Sequence, residues 1–248
     1  PHCTLELAAG PARHTLTALQ AGRIQRGIAL DNSPEMVAYG IETAQAELDV
    51  DSMQSFHYIQ ADMTKFELPQ DNKDTTVDSA WILLGSLQHL TENDQVLSCF
   101  QSIHEVMRQD GTLILELPHP RETFSLVECT RNGWEVPLED EEGKASGELK
   151  IVWGDDNDDF DPIRQVRQFS VAMEIDDDGL QTSSTSTTTK AQSVREIVPL
   201  RLFTAQEIDL FAKISGFRVA SMHGALCDGV DVNDDDEAFR LVCVLQKI

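Results

Sequence analysis

Leu5-Glu6-Leu7-Ala8-Ala9-Gly10-Pro11-Ala12-Arg13 decides how this chain is read. The segment closes a strand-like run, Thr4–Leu7, and opens a stretch of helical spacing, Arg13–Ala21. Small residues stand at positions 8, 10 and 12, where the backbone can approach a ligand closely. The helix that follows offers free backbone amides at its N-terminus. Taken alone the signal is moderate. Gly10 is the one true glycine among those three, and a strand–helix turn of any α/β protein has a similar look.

The segments that follow repeat the strand–helix alternation. Gly27–Leu30 is a second apolar run, ending at Asp31. Ser33 is a capping residue and Pro34 suits the first helical position, so a helix is expected to about Leu48. Phe56–Ile59 is a third strand, and Val77–Leu84 is a fourth, apolar without alternation as buried parallel strands are. Thr91 can cap a helix reaching about Arg108, and Thr112–Leu117 follows an Asp110-Gly111 turn as a fifth strand. The pattern predicts an α/β fold with a doubly wound parallel sheet.

From about Arg121 the character changes. Glu139–Glu142 and Asp155–Asp161 are acidic runs, and Thr182–Thr189 is nearly pure Ser and Thr, a loop composition. Ile151–Gly154, Gln165–Ile175 and Ser193–Leu202 are strand-like. Residues 121–202 are therefore expected to form an antiparallel β insertion capping the substrate site, between a core of residues 1–120 and a return to it at 203–248. Thr204-Ala205-Gln206-Glu207 is a capping box whose helix ends near Ser215-Gly216. Arg218–Met222 and Phe239–Leu245 are the last two strands.

Ligands of doubly wound sheets bind beyond the carboxyl ends of the strands, and acidic or small residues recur there. Asp31 stands 21 residues after Gly10, where a carboxylate can accept both hydroxyls of a ribose. Asn32 and Met36 are grouped with that site. Asp62 can accept from an adenine amino group while Met63 packs on the ring. Asp78 precedes the fourth strand, which runs out into Leu84-Gly85-Ser86.

These residues resemble a known family, the class I S-adenosylmethionine-dependent methyltransferases. Leu5–Arg13 looks like the family's first motif, with Glu6 as its acidic residue and Ala8, Gly10 and Ala12 at its glycine positions. The resemblance implies that Asp31 binds the ribose, that Asp62 and Met63 contact the adenine, and that the backbone near Leu84 and Gly85 binds the methionine amine. Val77–Leu90 (VDSAWILLGSLQHL) is similar to the fourth-strand motif, and Met107–Gly111 to the turn before strand five. Phe203–Phe217 and Phe239–Lys247 resemble the late helix and the antiparallel last strand, so the resemblance implies a doubly wound seven-stranded sheet, mostly parallel with an antiparallel last strand. The implied cofactor is S-adenosylmethionine. Alanine at two glycine positions leaves less room for a pyrophosphate, which favours that cofactor over NAD. The family usually places one or two helices ahead of the first strand, so an incomplete N-terminus is expected.

Methyl transfer needs donor and acceptor held in line, and a base only when the acceptor is protonated. His89 and His119, after strands four and five, are the candidate catalytic residues; each also reads as a structural side chain. Trp153 and Arg201 are candidate substrate contacts in the insertion, where Phe160 and Arg164 also stand out. An aromatic side chain there could hold a cationic amine, or belong to a small core.

The 248 residues carry 43 acidic and 19 basic side chains, a net charge of −24. Such a surface repels phosphate backbones, so a small-molecule substrate, leaning towards an amine, is expected rather than nucleic acid. No signal peptide or apolar span is visible, so a cytoplasmic protein with no membrane partner is expected. The five cysteines form no CxxC pair and read as reduced thiols. The acidic runs fail as calcium loops, with Phe160 and Asp236 where glycine belongs, and no metal site is expected. The oligomeric state is left open. Two other readings remain at this point: a dinucleotide-dependent oxidoreductase and a non-catalytic methyltransferase-like binding partner.

Overall fold

The computed structural model describes residues 1–69, 76–123, 132–139, 145–176 and 193–248. The chain folds as two units, Pro1–Pro120 with Phe203–Ile248, and Arg121–Leu202. The first contains β1 (Cys3–Leu7), α1 (Arg13–Gln20), β2 (Arg26–Asp31), α2 (Pro34–Glu47), α3 (Val50–Gln54), β3 (Phe56–Gln60), β4 (Val77–Ile82), α4 (Asn93–Val106) and β5 (Met107–Pro118). A short helix, α5 (Pro120–Thr123), lies where the two units join in sequence. The second unit holds β6 (Asn132–Glu139), β7 (Ala145–Trp153), β8 (Phe160–Asp161), β9 (Val166–Asp176) and β10 (Ser193–Arg201). The chain returns to the first unit with α6 (Ala205–Ile214), β11 (Phe217–His223) and β12 (Arg240–Lys247).

The first unit is built on one seven-stranded sheet of order β11-β12-β5-β4-β1-β2-β3. β1 pairs in parallel with β2 and β4, and β12 runs antiparallel to both β5 and β11. The fold is the mostly parallel, doubly wound architecture that the strand–helix alternation predicts. β1 is buried along its whole length, as a strand covered on both faces must be. On one face Leu5, Ala80, Ile82, Leu113 and Leu115 meet Phe100 and Ile103 of α4 and Phe211 of α6. On the other, Leu16 and Leu19 of α1 and Ala44 of α2 pack over Ala29 and Phe56.

Local chemistry sets the helix ends. Ser33 accepts from the Met36 amide, with Pro34 opening α2. Thr204 and Glu207 form the expected capping box of α6. Lys247 donates to the carbonyls of His104 and Met107 at the end of α4, where a cation satisfies otherwise orphaned acceptors. The start of α4 differs from expectation. The helix begins at Asn93, and Gln95 accepts from the Glu92 amide at 3.1 Å, so the cap is one residue later than Thr91. β5 is also longer than expected. Its pairing with β4 passes from Val77↔Met107 to Ser79↔Thr112, so Arg108–Gly111 bulge out, with Asp110 left-handed at φ 62°. The Asp110-Gly111 turn is thus a bulge inside a strand.

The second unit contains an antiparallel sheet of order β10-β9-β7-β6, with β8 paired to β9. Pro137 and Pro199 fall on β6 and β10, the two edge strands, where a missing amide costs no ladder bond. β6 was not anticipated, because Gly133 and Pro137 interrupt its strand pattern. Phe169, Leu200 and Leu202 form a small core with Trp153, Phe160 and Val198. The Ser/Thr-rich stretch 182–189, residues 140–142 of the acidic run, and Cys129 lie outside the described residues. Among the described residues, no helix is long and apolar enough to cross a membrane.

Candidate cofactor and active site

The turn after β1 is held from beneath by Glu6. This carboxylate is 2% exposed and accepts from the Thr15 amide at 3.0 Å, the Thr15 hydroxyl at 2.5 Å and His14 at 2.8 Å. Ala12, the residue before α1, has no side chain that could cap the helix. Glu6 takes over that task from the preceding strand by accepting the third amide of α1, which an N-cap side chain ordinarily receives. Its hydrogen bond to His14 raises the imidazole above its ordinary range. Ala8, Gly10 and Ala12 all adopt left-handed backbone, at φ 50°, 53° and 58°. The small residues at these three positions thus bend the chain in a way larger side chains resist.

β2 ends on Asp31. One carboxylate oxygen accepts from the Gly10 amide at 2.8 Å, and the other from the Ser33 amide at 3.0 Å. A carboxylate offers about four lone-pair sites, so acceptor capacity remains for a diol. After β3, Asp62 Oδ1 accepts from the Thr64 amide and hydroxyl at 2.8 and 2.7 Å, which closes a tight turn. Ala8, Leu30, Asp31, Asn32, Ala61, Asp62, Met63, Ser86, His89, Leu90 and Gln95 line a cavity of about 390 Å³, within the usual size of small-molecule sites. Its wall holds two carboxylates and no Lys or Arg. That suits a ligand with a diol, an amino-substituted ring and positive charge. It does not suit a pyrophosphate.

After β4, Leu84 and Gly85 are successive left-handed residues, at φ 54° and 77°. Glu116 of β5 holds both of their amides. Its carboxylate accepts from Leu84 at 2.9 Å and its carbonyl from Gly85 at 3.0 Å. The Glu116 side chain is nearly fully buried and paired with Arg240 at 3.3 Å. The turn leads into a short 3-10 helix, Ser86–His89, which brings His89 to the cavity wall. His89 keeps a solvent-accessible surface there. The surrounding protein nonetheless holds its imidazole below the ordinary range by desolvation, and the Asp31 charge offsets part of that.

The remaining expected site residues fall as follows. Glu6, Gly10, Met36, Leu84 and Gly85 do not line the cavity. Gly10, Leu84 and Gly85 adjoin it in sequence, and Met36 is 42% exposed near the start of α2. His119 lies at the end of the fifth strand, away from the cavity lining. It is buried and its Nε2 donates to the Val232 carbonyl at 2.9 Å, so that nitrogen is not open to accept a proton. Trp153 packs against Phe169, with ring centroids 5.9 Å apart, inside the core of the second unit, and Arg201 is buried in the same unit. Phe160 belongs to that core as well. Asp155 and Asp158 accept hydrogen bonds from Asn157 and Ser170 and shape their own loop. Among the described residues, no group of three or more His, Cys, Asp or Glu could hold a metal ion.

Ser86, Leu90 and Gln95 line the cavity without having been singled out. Ser86 and Leu90 sit inside the fourth-strand motif, but Gln95 has no sequence signal, since only packing turns the first turn of α4 towards the cavity. Glu116 did carry one: a single acid inside the apolar run Thr112–Leu117.

Residues 4–111 match the family model described as a methyltransferase domain. The chain carries a methyltransferase domain. The expected family, class I S-adenosylmethionine-dependent methyltransferases, is the one this finding supports, and the fold agrees. An S-adenosylmethionine-dependent methyltransferase from Clostridium acetobutylicum superposes with a TM-score of 0.71 at 12% identity, over 99% of this chain and 84% of that one. The CcbJ methyltransferase from Streptomyces caelestis gives 0.70 at 16% identity, over 100% and 89%. A sugar N-methyltransferase from Streptoalloteichus gives 0.66 at 15% identity, over 98% and 79%. No curated protein sequence matches the chain. The methyltransferase domain spans β1 to the bulge in β5, so it includes Asp31, Asp62 and the Leu84-Gly85 turn.

Proposed function

We propose that this methyltransferase transfers the methyl group of S-adenosylmethionine to the nitrogen of a small amine. The cavity carries the reading: two carboxylates, no cation and a neutral imidazole meet at the ends of successive parallel strands. Asp31 would take the ribose hydroxyls with its remaining lone pairs. Asp62 would take the adenine amino group, and Met63 would pack on the ring. The turn at Leu84 and Gly85, with both amides held by Glu116, would present its backbone to the methionine amine. When bound, S-adenosylmethionine supplies a sulfonium methyl: a nitrogen–carbon bond forms as the carbon–sulfur bond breaks, and its electron pair returns to sulfur.

An amine reaches a surface of charge −24 mainly as its ammonium form. It must lose a proton before its lone pair can attack. His89 is neutral near pH 7 and faces the cavity, so it takes the role of base. His119, already donating, is left as a structural side chain. The sugar N-methyltransferase of the same fold supports a small nitrogen acceptor.

Two measurements test the reading. S-adenosylhomocysteine at about 100 times its Kd should stabilise the protein by about 2.7 kcal/mol, and Asp31→Ala should abolish that gain. Labelled S-adenosylmethionine, offered with pools of amines, alcohols, phenols and acids, should mark a nitrogen. Label confined to oxygen would overturn the amine reading. Cofactor binding without turnover on any pool would favour a non-catalytic partner, and a response to NADH alone would favour an oxidoreductase.

A further inference from the structure

The loop of residues 8–12 holds two alanines in a conformation that glycine adopts freely and alanine resists. Something must hold the loop in that shape. Gly10 sits at its centre, and both polar groups of this residue are tied to other elements. Its amide donates to Asp31 at the end of β2. Its carbonyl accepts from the Tyr58 hydroxyl on β3. Space for the Tyr58 ring comes from α2: a Cβ at Gly40 would lie 2.4 Å from the ring. Phe56 packs edge-on against the ring on the same strand, with centroids 6.1 Å apart. Burial, with the charges of Asp31 and Glu6, pushes the phenol well above its ordinary range, so it stays a donor at any working pH. Tyr58 does not line the cavity.

We infer that Tyr58, with Gly40 making room for it, is a positioning residue that presets the Ala8–Gly10 backbone for S-adenosylmethionine. The hydroxyl fixes the Gly10 carbonyl while Asp31 fixes its amide. Asp31 is then held in place on the cavity wall by a loop that cannot relax away from it. The cost of ordering the loop falls on folding, not on cofactor binding, and affinity gains by the difference. This inference rests on the reading that the cavity binds S-adenosylmethionine.

The test is Tyr58→Phe, which keeps the ring and removes the hydroxyl. One lost neutral hydrogen bond predicts about a five- to tenfold weaker Kd for S-adenosylhomocysteine. KM for S-adenosylmethionine should rise in step, while kcat at saturating cofactor and KM for the acceptor stay within about twofold of wild type. A merely structural tyrosine would lower the ligand-free Tm and leave Kd and the KM–kcat split unmoved, and that outcome overturns the inference. Gly40→Ala displaces the ring with the hydroxyl still present and should give the same split; unchanged affinity in the folded variant also overturns it. Should Tyr58→Phe fail to fold, Gly40→Ala decides alone. Wild-type protein that does not bind S-adenosylhomocysteine would sink the cavity reading itself, whereas tight binding by both wild type and Tyr58→Phe would sink only the inference.

Discussion

Glu6 and Glu116 show how a buried carboxylate can serve a site that it does not line. Each is nearly inaccessible: Glu6 accepts from the Thr15 amide in the first turn of α1, and Glu116 from the Leu84 amide in the left-handed turn after β4. Glu116→Gln keeps an acceptor for the Leu84 amide but leaves Arg240 without its charge partner. It should lower stability modestly, since Arg240 is partly exposed and water screens its charge, and should lower cofactor affinity severalfold through the turn. Calorimetric unfolding and S-adenosylhomocysteine titration would measure the two effects separately. The Glu6–His14 pair has a pH signature. His14 is raised in the folded state by its bond to Glu6. The folded protein therefore holds the proton more tightly than the unfolded chain. That stabilisation is complete below about pH 6.5, the unfolded imidazole value, and is lost as pH rises through the higher folded value. The Tm gap between wild type and His14→Ala should accordingly be wider at pH 6 than at pH 9. His89 has the opposite sign. Burial lowers it, so its basic form persists below the ordinary imidazole range. The acid limb of kcat should lie below about pH 6.5, and His89→Gln should remove that limb and lower kcat.

Several elements owe their ends to single contacts. α6 begins at the Thr204–Glu207 box, and Thr204→Ala should cost about 1 kcal/mol, or roughly 2–4 °C in Tm. At the other end of α6, Gly216 is left-handed at φ 80°, and a Cβ there would lie 2.8 Å from His104. His104 in turn packs edge-on against Phe217, which carries α4 and β11 into one core. The helix starts were legible from Ser33-Pro34 and from Thr204 because a cap is a local event, decided within four residues. The bulge at Arg108–Gly111 was not, since its pairing with β4 involves residues about 30 positions away. β6 escaped notice because an edge strand tolerates Gly133 and Pro137, which in a central strand would have argued against it.

The charge of −24 acts on the molecule as a whole. A field of that sign concentrates cations near the surface and weakens as salt screens it. If the acceptor is an ammonium in solution, kcat/KM should fall severalfold between about 0.02 and 0.5 M salt, while an uncharged acceptor analogue should change little. Steady-state rates on both, at constant pH, distinguish the two cases.

Most of the strand–helix alternation of the first unit, the strand-end placement of Asp31 and Asp62, and the methyltransferase domain were legible in the chain. Each depends on local patterning: a buried strand must be apolar, a cap must sit beside its helix, and a ligand of a parallel sheet meets the ends of its strands. The partners those residues take were not. That Glu6 grips Thr15 instead of lining the cavity, that His119 is spent on Val232, and that Gln95 reaches the cavity wall are matters of side-chain direction. Direction is set when elements far apart in sequence pack together. Trp153 and Phe160 looked alike as candidates and alternatives, and the packing of β7, β8 and β9 around Phe169 put both into one core. Gly10 was visible from the start, but its two anchors come from β2 and β3, which only the closed sheet brings to the same turn.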